Sequence, residues 1–231
     1  MSPRYAIYYA PAQRSLLWQA GCRWLGRDPA DAKALVQPAV PGWPAERIQG
    51  LTAAPRSYGL HATLKPPFRL AQGRTAADLE RALVAFCAGQ APVRAVQLSL
   101  APLSGFLALQ PADDAAELMR LADACVMHFD PFRKPLDDDE LARRRAAGLS
   151  ARQDALLLQW GYPYVLDQFR FHITLTDRLA PDELERLQTW LTRYFSDALR
   201  EPLTLDDICL FVQDAPDAAF ALAGRYPLRG A

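Results

Sequence analysis

The 231 residues of the chain are 51% hydrophobic, enough to bury a substantial core in one large domain or in two small lobes. The 26 lysines and arginines balance the 26 aspartates and glutamates, so no overall charge favours duplex nucleic acid or an anionic membrane as a partner. The four cysteines have no C-x-x-C spacing, which favours reduced thiols over disulfides or a zinc site. The start shows no signal-peptide pattern and no apolar run approaches about 18 residues, so we expect a cytoplasmic protein.

The first half of the chain alternates strand and helix patterns. In chain order, the predicted elements are a strand over 4–10, a helix over 15–25, a proline-rich irregular segment over 28–55, a strand around position 61, a helix over 75–88, strands over 96–100 and 106–109, and a helix over 113–129. The sequence leaves open whether the proline-rich segment closes over a site.

The second half repeats that order after a connection over 130–150. An acidic run followed by a basic run in the connection predicts a short exposed helix. The predicted elements that follow are a helix over 151–160, a strand around position 172, a helix over 181–199, and strands over 203–212 and 220–228. Histidine strand, helix and strand pair therefore occur once in each half, which indicates a weak internal duplication.

A four-residue motif marks the two corresponding strands. The sequence H-A-T-L at 61–64 recurs as H-I-T-L at 172–175, so two of the three histidines share one local setting. Because successive strand side chains point to opposite faces, each copy places a histidine and a threonine on one face and two apolar residues on the other. Lys65 and Thr176 lie two residues beyond the threonines and are predicted on the same faces. The alternative is two unrelated strands that each carry a partly buried structural histidine.

We predict an α+β fold with two lobes, in which two antiparallel-rich sheets flank a central cleft and the helices lie outside. The predicted organisation is a single bilobal domain over 1–231, with lobe 1 over about 12–129, the connection over 130–150 and lobe 2 over about 151–231. The strand over 4–10 can pair with either lobe. Such an arrangement brings both H-x-T motifs to one cleft.

Two H-x-T motifs at this separation resemble the 2H phosphoesterase superfamily. The stretches that look like one bacterial branch of it, whose members have names referring to phosphonate metabolism, lie at 4–11, 23–28, 58–65, 129–132 and 161–164. The resemblance runs nearly end to end. It implies a cyclic phosphodiesterase that acts on a small phosphorylated partner, a nucleotide or a phosphosugar, without a metal or another cofactor.

Hydrolysis of a cyclic phosphodiester needs a base for the attacking water, an acid for the leaving oxygen, and donors to the phosphoryl oxygens. We predict that His61 and His172 are the acid and the base, in an order that the sequence leaves open, because imidazole titrates near neutral pH. The phosphate-binding candidates are Thr63, Thr174, Lys65 and Thr176. No E-x-x-H or H-x-H spacing supports a metal site.

Two other functions remain open at this point. One is a non-catalytic module that binds a phosphorylated metabolite with the same pocket. The other is a 2H enzyme that processes RNA ends, which would need a basic track for the strand. The oligomeric state and the physiological substrate are also left open by the sequence.

Overall fold

A computed structural model describes residues 2–230, and within that range it has one seven-stranded sheet, one two-stranded sheet and eight α-helices. The strands are β1 (Arg4–Tyr9), β2 (Ala62–Phe68), β3 (Val93–Val96), β4 (Leu98–Leu103), β5 (Phe106–Pro111), β6 (Ile173–Thr174), β7 (Leu203–Leu205), β8 (Asp207–Gln213) and β9 (Ala221–Pro227). The helices are α1 (Leu16–Leu25), α2 (Ala45–Leu51), α3 (Ala53–Tyr58), α4 (Ala76–Ala88), α5 (Ala116–His128), α6 (Asp138–Arg145), α7 (Ala151–Trp160) and α8 (Pro181–Tyr194). The predicted α+β class is confirmed.

The large sheet is antiparallel and has the strand order β4-β5-β6-β2-β1-β8-β9. The two histidine strands, β2 and β6, are neighbours near its middle. The hairpin β4–β5 follows β2 in the chain but pairs with β6, whereas β8–β9 follows β6 but pairs with β1, next to β2. The β4–β5 hairpin therefore lies directly beside the histidine strand of the other half, and the β8–β9 hairpin is separated from β2 by β1. The two predicted sheets are continuous through the β2–β6 pair.

This exchange bears on the predicted lobes. The predicted lobes, over about 12–129 and 151–231, stay a prediction. The large sheet contains strands from both ranges. The strand predicted over 4–10 pairs on one side with β2 and on the other with β8. The two-stranded sheet likewise pairs β3 with β7.

Three helices begin at the residues that the sequence patterns indicate. The hydroxyls of Ser15, Thr75 and Ser150 each accept a backbone N–H of the first turn of α1, α4 and α7. Gly26 and Gly161 end α1 and α7 in the left-handed conformation, with φ of 79° and 75°. These caps fix the lengths of the helices that surround the sheet.

The proline-rich segment over 28–55 is partly helical, so the prediction of an irregular segment is wrong for its second part. Helix α2 begins directly after Pro44, and Pro55 lies in the first turn of α3. Proline is tolerated there because the first N–H groups of a helix have no partner within it. These two prolines stand at helix starts and do not interrupt a helix.

The sheet buries its apolar side chains beneath helices. Helix α5 packs against β2, α4 against β9, and α8 against β4 and β5. One large cluster of buried side chains joins these elements, and a smaller one links α5 with α7 and the segment after it. No helix within residues 2–230 is both long and apolar enough to span a bilayer.

Candidate active site

The two H-x-T motifs have the same pattern of burial. In each copy the histidine and the threonine are half-buried, while the apolar residues between and after them are buried. The predicted alternation within the motifs is confirmed. Apolar packing on one face thus holds each histidine and threonine on the other.

The pairing of β2 with β6 brings the two motifs together. Their middle apolar residues lie opposite one another across the two strands. Continuing this register by one residue each way places His61 opposite Thr174, and Thr63 opposite His172. The histidines are then diagonal neighbours, whose Cα atoms lie about 7–8 Å apart in an antiparallel pair. Side chains at such positions can reach a common group bound between them.

A backbone carbonyl two residues upstream orients each imidazole. Nδ1 of His61 lies 2.9 Å from the oxygen of Gly59, and Nδ1 of His172 lies 2.7 Å from the oxygen of Arg170. A carbonyl can only accept, so Nδ1 carries the proton in both rings and Nε2 has the free lone pair when the ring is neutral. The Thr63 hydroxyl, 3.3 Å from Nε2 of His61, therefore donates to it. The two histidines share one tautomer.

Aromatic side chains make the surroundings of the two imidazoles unequal. Tyr8 is fully buried and stacks on His61 with ring centroids 3.9 Å apart, and Tyr58 lies 5.9 Å away on the same measure. Against His172 lies Phe106, with centroids 5.8 Å apart. Tyr8 is the residue of this site that the motifs do not indicate, although its place in the first strand is visible in the sequence.

Burial disfavours the charged form of both histidines. It lowers the pKa of His61 to about 4, opposed by the hydrogen bond to the Gly59 carbonyl and reinforced by the charge of His172. Burial also lowers the pKa of His172, opposed by the hydrogen bond to the Arg170 carbonyl. His61 is therefore neutral at physiological pH, and its Nε2 lone pair accepts the Thr63 hydroxyl.

Lys65 does not join the histidines, which corrects its predicted orientation. A bulge in the β1–β2 pair sets Thr63 opposite Tyr8 but Lys65 opposite Ile7, so the strict alternation fails at this point. Lys65 is buried, and its Nζ lies 2.9 Å from the Val126 oxygen and 3.4 Å from a carboxylate oxygen of Asp130. These contacts give no support to a role in binding the reacting phosphate.

Thr176 also has a structural hydrogen-bond partner. It is buried, and its hydroxyl accepts the backbone N–H of Leu107 at 3.0 Å. β6 ends at Thr174, so the strand alternation does not extend to this position. The structure thus brings together four predicted residues, His61, Thr63, His172 and Thr174, and leaves Lys65 and Thr176 with structural partners.

The described residues that could bind a metal ion do not cluster. Within residues 2–230, no three His, Cys, Asp or Glu side chains lie together as metal ligands would. The cysteines are separate, buried thiols at Cys22, Cys87, Cys125 and Cys209. Burial raises the pKa of each.

Comparisons with known proteins place this arrangement in a wider context. Among solved structures, the chain is similar to a phosphoesterase (TM-score 0.44, 14% identity) and to LigT of E. coli complexed with 3'-AMP (TM-score 0.45, 12% identity), with 99% of both chains covered in each case.

Among curated proteins it is 42% identical, over 98% of its length, to the ribose 1,5-bisphosphate phosphokinase PhnN of Janthinobacterium sp. (strain Marseille). It is 37% identical, over 95% of its length, to the protein of that name from Laribacter hongkongensis (strain HLHK9). The chain spans about half the length of these relatives, 51% and 50%. A family model matches residues 63–221, more than half of the chain and most of both histidine strands. The chain therefore belongs to the family described as "Protein of unknown function (DUF1045)".

Proposed function

We propose that the protein is a metal-independent phosphodiesterase that hydrolyses a small cyclic phosphate with His61 and His172 as general base and general acid. One observation carries the proposal: two histidines with the same tautomer occupy diagonal positions on one face of two paired strands. The resemblance of the duplicated H-x-T motifs to 2H phosphoesterases supports the same chemistry.

We assign the base to His61. Its pKa of about 4 keeps the ring neutral, and its Nε2 lone pair is oriented by the Gly59 carbonyl. In the proposed step, Nε2 takes a proton from water as the water oxygen bonds to phosphorus. A neighbouring tyrosine ring, that of Tyr8, holds the imidazole in place by stacking on it.

The acid is then His172. Its Nδ1 proton stays on the Arg170 carbonyl, so the ring must be doubly protonated to donate from Nε2. The negative charge of a bound phosphate diester raises the pKa of His172 against the effect of burial. As the ester P–O bond breaks, the Nε2 proton passes to the leaving oxygen, and exchange with solvent resets both histidines.

The threonine hydroxyls bind the non-bridging oxygens in this proposal. Without ligand, the Thr63 hydroxyl donates to Nε2 of His61. A bound phosphate oxygen would take over that donor, so ligand binding would free the lone pair that the base needs. Thr174, opposite His61, supplies a second donor from the other strand.

The names of the relatives favour a phosphosugar among the small cyclic phosphates. Both relatives are named for a kinase of ribose 1,5-bisphosphate, and they are about twice as long as the region that this chain matches. Ribose cyclic phosphates therefore belong in the first substrate panel beside 2',3'-cyclic nucleotides. A link to phosphonate metabolism is part of the same proposal.

The test is turnover of that panel in the presence of EDTA by wild type, His61→Ala and His172→Ala. The matched control is His128→Ala, which removes the third histidine, exposed at the end of α5 and outside the site. We expect EDTA-resistant turnover in wild type and in the control, and a loss of at least 100-fold in each site variant, the low end for a general acid or base. Binding of a cyclic phosphate without turnover in wild type would contradict the proposal and identify a binding module.

The assignment of acid and base has its own test. A diester with a p-nitrophenyl leaving group needs little protonation of the leaving oxygen, whereas an alkyl ester needs it fully. We expect His172→Ala to lose far less turnover on the p-nitrophenyl diester than on the alkyl ester, and His61→Ala to lose the same on both. The reverse pattern would exchange the two roles.

A further inference from the structure

A basic cavity lies at the end of β2 that is remote from His61. Its volume is about 250 Å³, and neither histidine of the proposed pair lines it. Its walls come from the start of β1, the end of β2, α6 with the segment before it, the end of α7, and the end of β8 with the residues after it. Besides Lys65, its basic residues are Arg4, Arg69, Arg133, Lys134, Arg143 and Arg144. A chain with no net charge thus concentrates seven cationic side chains around one cavity.

Few carboxylates neutralise these side chains. Glu140 is the one acidic residue of the described chain in the wall, and it pairs with Arg69 at 2.9 Å. Asp130 pairs with both Lys65 and Arg133. Within residues 2–230, none of the other four basic residues has a carboxylate within 4.0 Å. Clustered like charges repel, so an anion in this cavity would be stabilised strongly.

Three of the arginines make contacts that hold their guanidinium groups in position. Arg133 donates from Nε to Asp130 at 2.8 Å and from Nη2 to the Gln159 oxygen at 3.1 Å. Arg4 donates from Nε to Gln213, and Arg144 lies over the ring of Tyr162, 5.4 Å from its centre. An arginine has five N–H donors, so each keeps further donors for a ligand.

Trp160 also lines the cavity, and its buried Nε1 has no hydrogen-bond partner among the described residues. A buried N–H group without a partner is costly in a folded protein.

We propose that this cavity is a second anion site, which binds the phosphate or diphosphate group of a small metabolite. Planar guanidinium donors and a lysine are the groups that bind phosphate in proteins. At about 3.3 Å per residue, Lys65 lies about 13 Å from His61 along β2, farther than a single cyclic phosphosugar reaches. The ligand is therefore separate from the reacting phosphate, and the site does not depend on the proposed phosphodiesterase activity.

The experiment is calorimetric titration of the full chain with pyrophosphate at constant, near-physiological ionic strength. The test variant is Lys134→Ala/Arg144→Ala. The control is Arg145→Gln, which removes one positive charge from α6 beside Arg144, at a residue that lies outside the cavity and pairs with Asp154. His172→Ala reports on binding at the histidine pair. Thermal unfolding of each variant identifies any that fails to fold, and Lys134→Glu, at an exposed position, replaces the double variant in that case.

We expect wild type, His172→Ala and Arg145→Gln to bind pyrophosphate alike, and the double variant to bind at least tenfold more weakly. Tenfold corresponds to about 1.4 kcal/mol, less than the usual range for a hydrogen bond between charged groups. The proposal is overturned if wild type shows no saturable binding, if His172→Ala alone abolishes it, or if Arg145→Gln weakens it as much as the double variant does.

Discussion

Lowering the pH from about 7.5 to about 5 should destabilise the folded protein through His61. Burial lowers the pKa of this histidine from its usual 6.5 to about 4 in the folded state. Between these values the unfolded chain binds a proton that the folded protein does not, so stability present above pH 6.5 is lost as the pH falls towards 4. The linkage relation gives a loss of about 2 kcal/mol at pH 5 and about 3 kcal/mol below pH 4.

The assay compares wild type with His61→Gln in urea denaturation at both pH values. Other titrating groups are common to the two proteins, so their contributions cancel in the difference. We expect wild type to lose about 2 kcal/mol more than His61→Gln between the two pH values. NMR titration of the imidazole gives the pKa directly. Equal losses in the two proteins, or a titration midpoint near 6.5, would refute this account of His61.

The other predictions concern backbone strain, Lys65 and the thiols. Gly59→Ala should lower the free energy of unfolding by about 3 kcal/mol in urea denaturation, because Gly59 has φ 80° and ψ 175° and an added Cβ would lie 2.8 Å from Pro29. The control Gly73→Ala, where φ is 78° and no atom lies near the added Cβ, should lower it by only about 1 kcal/mol. Equal losses in the two variants would contradict the clash with Pro29. Lys65→Ala should lose about 2–5 kcal/mol because it leaves a cavity and removes the donor to the Val126 carbonyl, and Lys65→Met should lose less because it fills the volume; an unchanged denaturation midpoint would contradict the structural role. A thiol reagent should modify the native protein slowly and all four cysteines after unfolding, and rapid labelling of the native protein would contradict their burial.

The sequence predicts the burial pattern at the centre of the candidate site because local alternation decides it. Each H-x-T motif alternates half-buried and buried positions, as expected for a strand packed on one side. The prediction fails at Lys65, where the bulge against β1 redirects the side chain. The bulge depends on the partner strand, and no local pattern in β2 reports it.

Other features of the site and of the fold leave no signal in the sequence. The carbonyls of Gly59 and Arg170 orient the histidines, yet every residue has a carbonyl, so composition gives no signal for them. The repeated order of elements indicates a duplication, but it does not say which hairpin pairs with which histidine strand. The basic cavity collects residues from five separate segments, and no local pattern shows that these segments converge.

The exchange of hairpins across the sheet has a consequence for synthesis and cleavage. β1, near the start of the chain, is completed on one side by β8, about 200 residues later. A nascent chain therefore cannot close its central sheet until the last strands have left the ribosome, and such non-local pairing slows folding. A cut in the connection over 130–150 would leave two fragments that each expose unpaired strand edges. Each fragment then supplies the missing edge of the other, so the two pieces should recover the fold only when they are mixed.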